Sequence, residues 1–140
     1  MFKNIVVGTD GSATAGRAVA TATELAALCG ARLHLVTAYK PRTLAALGAP
    51  EEFRYLGSTD EADALLNEAA AGAKMAGVET RTHAGTKDAV DSIVDVARDV
   101  DCDLIVVGNK GMKGARRVLG SIPNAISHQA PCSVLIVDTV

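Results

Sequence analysis

Leu104-Ile105-Val106-Val107-Gly108-Asn109-Lys110-Gly111 is the stretch on which the reading of this chain turns. Four consecutive apolar residues, three of them β-branched, suit a strand covered on both faces, the kind found in parallel sheets. The run stops abruptly at a glycine turn. Beyond it Lys110, Lys113, Arg116 and Arg117 gather positive charge, and Gly120-Ser121 leads into a short helical pattern. No Asp or Glu occurs between Leu104 and Val137. A buried strand, a basic glycine-rich loop and a helix start, in that order, form a site for an anion and best of all a phosphate. Backbone N–H groups point outward at a helix N-terminus, and its dipole favours negative charge.

Working outward, strand and helix patterns alternate. Residues 2–9 form a strand pattern centred on Ile5, Val6 and Val7. Ser12 or Thr14 then caps a helix whose inner face carries Ala18, Ala22, Leu25, Ala26 and Cys29, and Gly30 stops it. Residues 32–38 are a second strand. Residues 40–57, with Pro41, Gly48, Pro50 and Gly57, read as a long loop: a lid, a partner surface or a silent insertion. A helix over 59–76 faces inward through Ala62, Leu65, Leu66, Ala69 and Ala73, and Ser58 with Glu61 fits a capping box. Residues 78–83 alternate apolar and polar, as a half-buried strand at a sheet edge does. Gly85 and Thr86 lead into a helix with Ala89, Ile93, Val96, Ala97 and Val100 inward and Asp91, Asp95 and Asp99 toward water. Residues 121–129 form a short helix with Ile122, Ala125 and Ile126 inward and Pro123 in its first turn, and residues 133–137 are the closing strand. Such alternation builds an α/β fold, an open parallel sheet with helices on both faces.

Composition narrows the class. At 140 residues the chain is one domain by length, with 49% hydrophobic and 21% charged residues, which suits a globular core. Aromatic residues are only 3%, so that core is aliphatic and rich in Ala. The net charge of −2 disfavours a polyanionic partner such as nucleic acid, and the local basic cluster favours a small anion. No apolar stretch is long enough to span a bilayer, and no secretory signal precedes the first strand, so a cytoplasmic location is expected. Cys29, Cys102 and Cys132 are odd in number, widely spaced and without metal-ligand spacing, and read as small apolar core residues. His34 reads as a strand-surface residue, His83 as an edge-strand end near the ligand side, and His128 as structural; the three form no metal cluster.

In an open parallel sheet, ligands bind beyond the carboxyl ends of the strands, where the strand order reverses. Two specialised loops follow hydrophobic strands: Gly8-Thr9-Asp10-Gly11-Ser12 and the run from Gly108 to Ser121. Gly108 and Gly111 permit positive φ and close approach of a ligand to the backbone, although tight turns alone use glycine as well. Neither a Gly-x-Gly-x-x-Gly fingerprint nor a Walker phosphate loop is present.

Asp10-Gly11-Ser12 after a first strand, Gly108-x-x-Gly111, Gly120-Ser121 and the closing Pro131-Cys132-Ser133-Val134-Leu135-Ile136-Val137 together resemble the universal stress protein family. The likeness runs through the whole chain in order. It implies a Rossmann-like five-stranded parallel sheet ordered 3-2-1-4-5, with the half-polar third strand at an edge. Members that bind ATP carry Gly-x2-Gly-x9-Gly-Ser/Thr. By that likeness Gly108 and Gly111 meet ribose and phosphates, and Gly120 and Ser121 meet phosphate oxygens. Asp10 lies beside the nucleoside, and Ala38 offers its backbone to the adenine edge. Gly8, Thr9, Val107, Lys110 and Ile122 complete the candidate contacts. Mg²⁺ would find a hard oxygen ligand in Asp10. The chain departs from the pattern by one residue, because eight residues, Met112 to Leu119, stand between Gly111 and Gly120.

The resemblance therefore implies an ATP-binding stress-response module with at most slow hydrolysis, since no residue resembles a base aimed at a γ-phosphate. The competing readings are a dimer that binds no nucleotide and acts through protein partners not yet identified, and a true ATPase or phosphotransferase. The family pairs through its last strand, so a homodimer through Val134, Leu135, Ile136 and Val137 is expected.

Overall fold

The computed structural model describes residues 1–39, 59–110 and 121–139. Among these it contains β1 (Asn4–Gly8), α1 (Ala13–Cys29), β2 (Arg32–Ala38), α2 (Thr59–Met75), β3 (Thr80–Gly85), α3 (Ala89–Asp99), β4 (Leu104–Gly108), α4 (Ile122–Gln129) and β5 (Ser133–Val137). The strands form one parallel sheet ordered β3-β2-β1-β4-β5, as the resemblance implied. The loop over 40–57 and the capping serine Ser58 lie outside the described residues.

Strand pleating explains the core. Ile5, Val7, Leu33, Leu35, Leu104 and Val106 face one way, against Ala18, Ala22 and Ala26 of α1 and Leu66, Ala70 and Ala73 of α2. Val6, Val36, Ile105 and Val107 face the other way, against Ile93, Val94 and Ala97 of α3 and Ile126 of α4. Alanine at successive turns lets each helix lie close to the sheet, which is how a chain this poor in aromatic residues fills its interior. Each fully buried Val, Leu or Ile contributes roughly 1.5–3 kcal/mol. The Asp103 carboxylate accepts hydrogen bonds from the backbone N–H groups of Lys3 (2.8 Å) and Asn4 (3.1 Å), which ties the start of β1 to the start of β4.

Helix ends follow local chemistry. Of the two cap candidates, Ser12 serves: its hydroxyl accepts from the Ala15 N–H at 3.2 Å. Gly30, at φ 66°, closes α1, and its N–H donates to the Ala26 carbonyl. One strand boundary needs correction. β3 begins at Thr80 rather than Val78, because the Val78 N–H still donates to the Ala73 carbonyl at the end of α2 (3.1 Å). Val78 is buried in the core but belongs to the helix exit.

Candidate functional site

The strand order reverses between β1 and β4, and beyond their carboxyl ends lies a cavity of about 950 Å³. That is at the upper end of the roughly 300–1,000 Å³ typical of small-molecule sites. Gly8, Thr9 and Asp10 enter it from β1, Ala38 from β2, and Val107, Gly108 and Lys110 from β4; Ser121 and Ile122 enter from the start of α4. Nine of the eleven candidate residues therefore meet in one hollow. The other two, Gly111 and Gly120, lie outside the described residues, as do Lys113, Arg116, Arg117 and the shortened spacing between the glycines.

The β1 loop is organised by its own side chains. The Thr9 N–H donates to the Val36 carbonyl (2.8 Å), and the Thr9 hydroxyl accepts from Gly11 N–H (3.2 Å). The Asp10 carboxylate accepts from Ser12 N–H at 2.9 Å. Burial alone pushes Asp10 upward, but its hydrogen bonds to Ser12 and the nearby Lys110 charge outweigh this and hold the carboxyl below its ordinary value. An ionised Asp10 thus faces the cavity beside a lysine. Across from it Ser121 caps α4, its hydroxyl accepting from Asn124 N–H (3.4 Å). The walls between are largely apolar, from Ala15, Val36, Ile93 and Pro123.

Two candidate residues behave differently from expectation. Gly108 lacks positive φ; among the described glycines only Gly11, Gly30 and Gly77 adopt it. Instead a Cβ at Gly108 would stand 2.8 Å from the Thr139 hydroxyl. Glycine here admits the chain's own C-terminal segment, so its first role is packing. Ile122 points away from the core, 45% exposed, and Pro123 takes the buried place beside Ile126. Turning the first residue of α4 outward is what sets Ile122 at the cavity.

Several lining residues escaped the sequence reading: Thr37, Tyr39, Thr86, Lys87, Asp88 and Thr139. For Thr86, Lys87 and Asp88 a signal existed. Every strand of a parallel sheet ends on the same side, so the loop after the third strand had to open there too. Thr139 carried no such signal. It is drawn in by Asn109, whose side-chain oxygen accepts from the Thr139 N–H (2.9 Å) and hydroxyl (3.3 Å) while its amide donates to Asp138 (3.0 Å). The Arg17 guanidinium of α1 donates to the Thr139 carbonyl.

The histidines also differ. His34 is no surface residue: it is 3% exposed. One ring nitrogen meets the Asn4 side-chain oxygen at 3.0 Å and the other meets His83 Nε2 at 3.1 Å. Since a carbonyl oxygen only accepts, His34 donates to Asn4 through Nε2 and accepts from His83 through Nδ1. Burial, the His83 neighbour and nearby Arg32 and Arg81 push His34 down to about 4, and burial lowers His83 as well. His128 is exposed in the last turn of α4. Among the described residues no group of three or more His, Cys, Asp or Glu is placed to hold a metal ion. None of the helices there is long and apolar enough to cross a membrane.

Comparison with known proteins agrees with this geometry. The model of the universal stress protein family matches residues 1–138. A universal stress protein of Mycobacterium tuberculosis is 38% identical over 146 aligned positions, covering 99% of this chain and 97% of its own. A universal stress protein solved in complex with cAMP is 34% identical, with TM-score 0.78 over 99% of this chain and 98% of its own. One from Archaeoglobus fulgidus, solved in complex with dAMP, is 25% identical, with TM-score 0.71 over 97% and 98%.

Proposed function

Because this chain belongs to the universal stress protein family, we propose that it holds an adenine nucleotide between β1 and β4 and works as a nucleotide-dependent regulatory module in the response to stress. The observation that carries this reading is the convergence of the Asp10 loop, the Gly108-Asn109-Lys110 turn and the capped start of α4 on one cavity of about 950 Å³. Related structures with cAMP and dAMP support the adenosine end of the ligand.

ATP is the ligand of this reading. Lys110 supplies the positive charge beside the phosphates, and Asp10 supplies a hard oxygen for a magnesium ion that arrives with the triphosphate. Hydrolysis is slow at best. The two carboxylates that line the cavity among the described residues, Asp10 and Asp88, each accept a backbone N–H, from Ser12 (2.9 Å) and Asp91 (2.8 Å). Neither is poised as a general base toward a γ-phosphate. A second reading, cAMP as the resident ligand, is favoured by the 34% identical relative that holds it. A cytoplasmic location belongs to the same proposal; three free thiols suit a reducing compartment.

Isothermal titration with ATP, AMP and cAMP, each with and without Mg²⁺, decides among these. Micromolar-range binding of ATP is expected, on the order of −8 kcal/mol. Lys110→Ala is expected to weaken ATP roughly tenfold, the cost of one charge-assisted contact. Tighter binding of cAMP than of ATP selects the second reading, and absence of heat with all three overturns both.

A further inference from the structure

We propose that Cys102 and Cys132 form a reversible dithiol–disulfide site that exchanges with small-molecule disulfides. Their sulfurs lie 3.3 Å apart although 30 positions separate them in the chain. A disulfide bond measures about 2.05 Å, so closure requires each sulfur to move by roughly 0.6 Å. β4 and β5 are parallel neighbours with Leu104 opposite Ser133, and the cysteines lie in the turns that lead into them, Cys102 two residues before Leu104 and Cys132 one residue before Ser133.

The two sulfurs are differentiated. Cys102 is 8% exposed and donates its S–H to the Leu104 carbonyl at 3.1 Å. Cys132 is half-buried and is the sulfur a reagent meets first. Burial raises both thiols, and for Cys132 the contact with the Cys102 sulfur works against that rise. Exchange is therefore slow at neutral pH and quicker in alkaline buffer, where thiolate is more abundant. Cys29 packs with the core on the opposite face of the sheet and has no sulfur neighbour among the described residues, which makes it an internal control.

The exchange balances without any further reagent. Cys132 loses its proton to solvent and attacks one sulfur of a disulfide R–S–S–R. The R–S–S–R bond breaks, and the first thiolate leaves and takes up a proton. Cys102 loses its proton and attacks the Cys132 sulfur, expelling the second thiolate, which is protonated in turn. Two protein thiols are oxidised by two electrons, and one disulfide is reduced to two thiols. Excess thiol reverses the sequence. The closed ring spans β4, the basic loop and α4, the segment that carries Gly108, Lys110 and Ser121 to the cavity.

The test uses the full wild-type chain with no nucleotide, so it stands apart from the ligand reading above. The protein is treated with oxidised glutathione in mildly alkaline buffer, free thiols are alkylated, and the unreduced digest is mapped by mass spectrometry. The expected result is an intrachain Cys102–Cys132 peptide pair, two hydrogens lighter than the reduced pair. The thiol titre falls from the three free cysteines to one and is restored by dithiothreitol. Cys132→Ser is expected to abolish the linked pair and leave Cys29 fully alkylated. A titre that stays at three, a mixed disulfide on Cys132 that Cys102 never resolves, or linkage only between chains would overturn the proposal.

Discussion

At the residue scale buried His34, with half-buried His83 against its ring, makes stability depend on acid. The native state holds His34 down to about 4, against roughly 6.5 for a free histidine. Between those values the unfolded chain takes up a proton that the native state refuses, so native stability falls as pH falls through that window. Stability from this source is whole above about pH 6.5, falls as pH falls and is fully lost only below about 4, a loss on the order of 2 kcal/mol. Urea unfolding across the interval is expected to show that slope, and His34→Gln is expected to flatten it. An unchanged slope in the variant would assign the effect elsewhere. Asn109 is the second residue of consequence. Asn109→Ala leaves the buried Thr139 N–H without its acceptor and is expected to cost about 1–3 kcal/mol in a denaturant midpoint. Thr139→Val removes only the hydroxyl contact and is expected to cost about 1 kcal/mol. Neither residue was legible as a hub beforehand. Periodicity shows that position 34 lies on a strand, but whether its face meets Asn4 and His83 depends on pairing between strands, which no local pattern carries.

At the element scale the sequence spoke most clearly through its punctuation. Ser12 and Gly30 bracket α1 as their chemistry demands, and Pro123 sits in the first turn of α4. Gly30→Ala would place a Cβ on a left-handed residue, and a melting experiment is expected to report a loss of about 1 kcal/mol. A cost near zero would mean that the end of α1 relaxes freely. The inner faces of α1 and α2 are legible because Ala and Leu recur at helical spacing, though Ala70 is buried as well and Leu65 is only half-buried. In α3 the buried Ser92 broke the expected apolar stripe. The space answers for it: a Cβ on Gly85 would lie 2.4 Å from the Ser92 hydroxyl, so a small polar side chain and a glycine fit each other at the end of β3. The same crowding occurs at Gly8, where a Cβ would lie 2.5 Å from Ile93. Strand ends that look designed for a ligand are thus shaped partly by the helix packed on them. For this reason Gly108→Val is a poor probe of binding; Lys110→Ala tests the ligand without disturbing Thr139.

For the whole molecule, the parallel sheet followed from alternation, while the strand order came from the family resemblance and then from the structure. The half-polar pattern of the third strand agrees with its place at one edge. The opposite edge is β5, which among the described strands pairs only with β4 and leaves Leu135 36% exposed. An apolar open edge invites a second copy, and we propose that Val134, Leu135, Ile136 and Val137 form a homodimer seam. Sedimentation is expected to give a dimer for the wild-type chain and a monomer for Leu135→Lys; a monomeric wild type would exclude the seam.

The anchoring of Thr139 by Asn109 and Arg17 has a practical corollary for anyone handling this protein. Thr139 lines the cavity, so a handle fused behind Val140 begins one residue beyond that lining, within reach of any visiting molecule. Affinity handles are better fused ahead of Met1, whose side of the sheet is the far one, and binding constants from the two fusion orientations should be compared before either is believed.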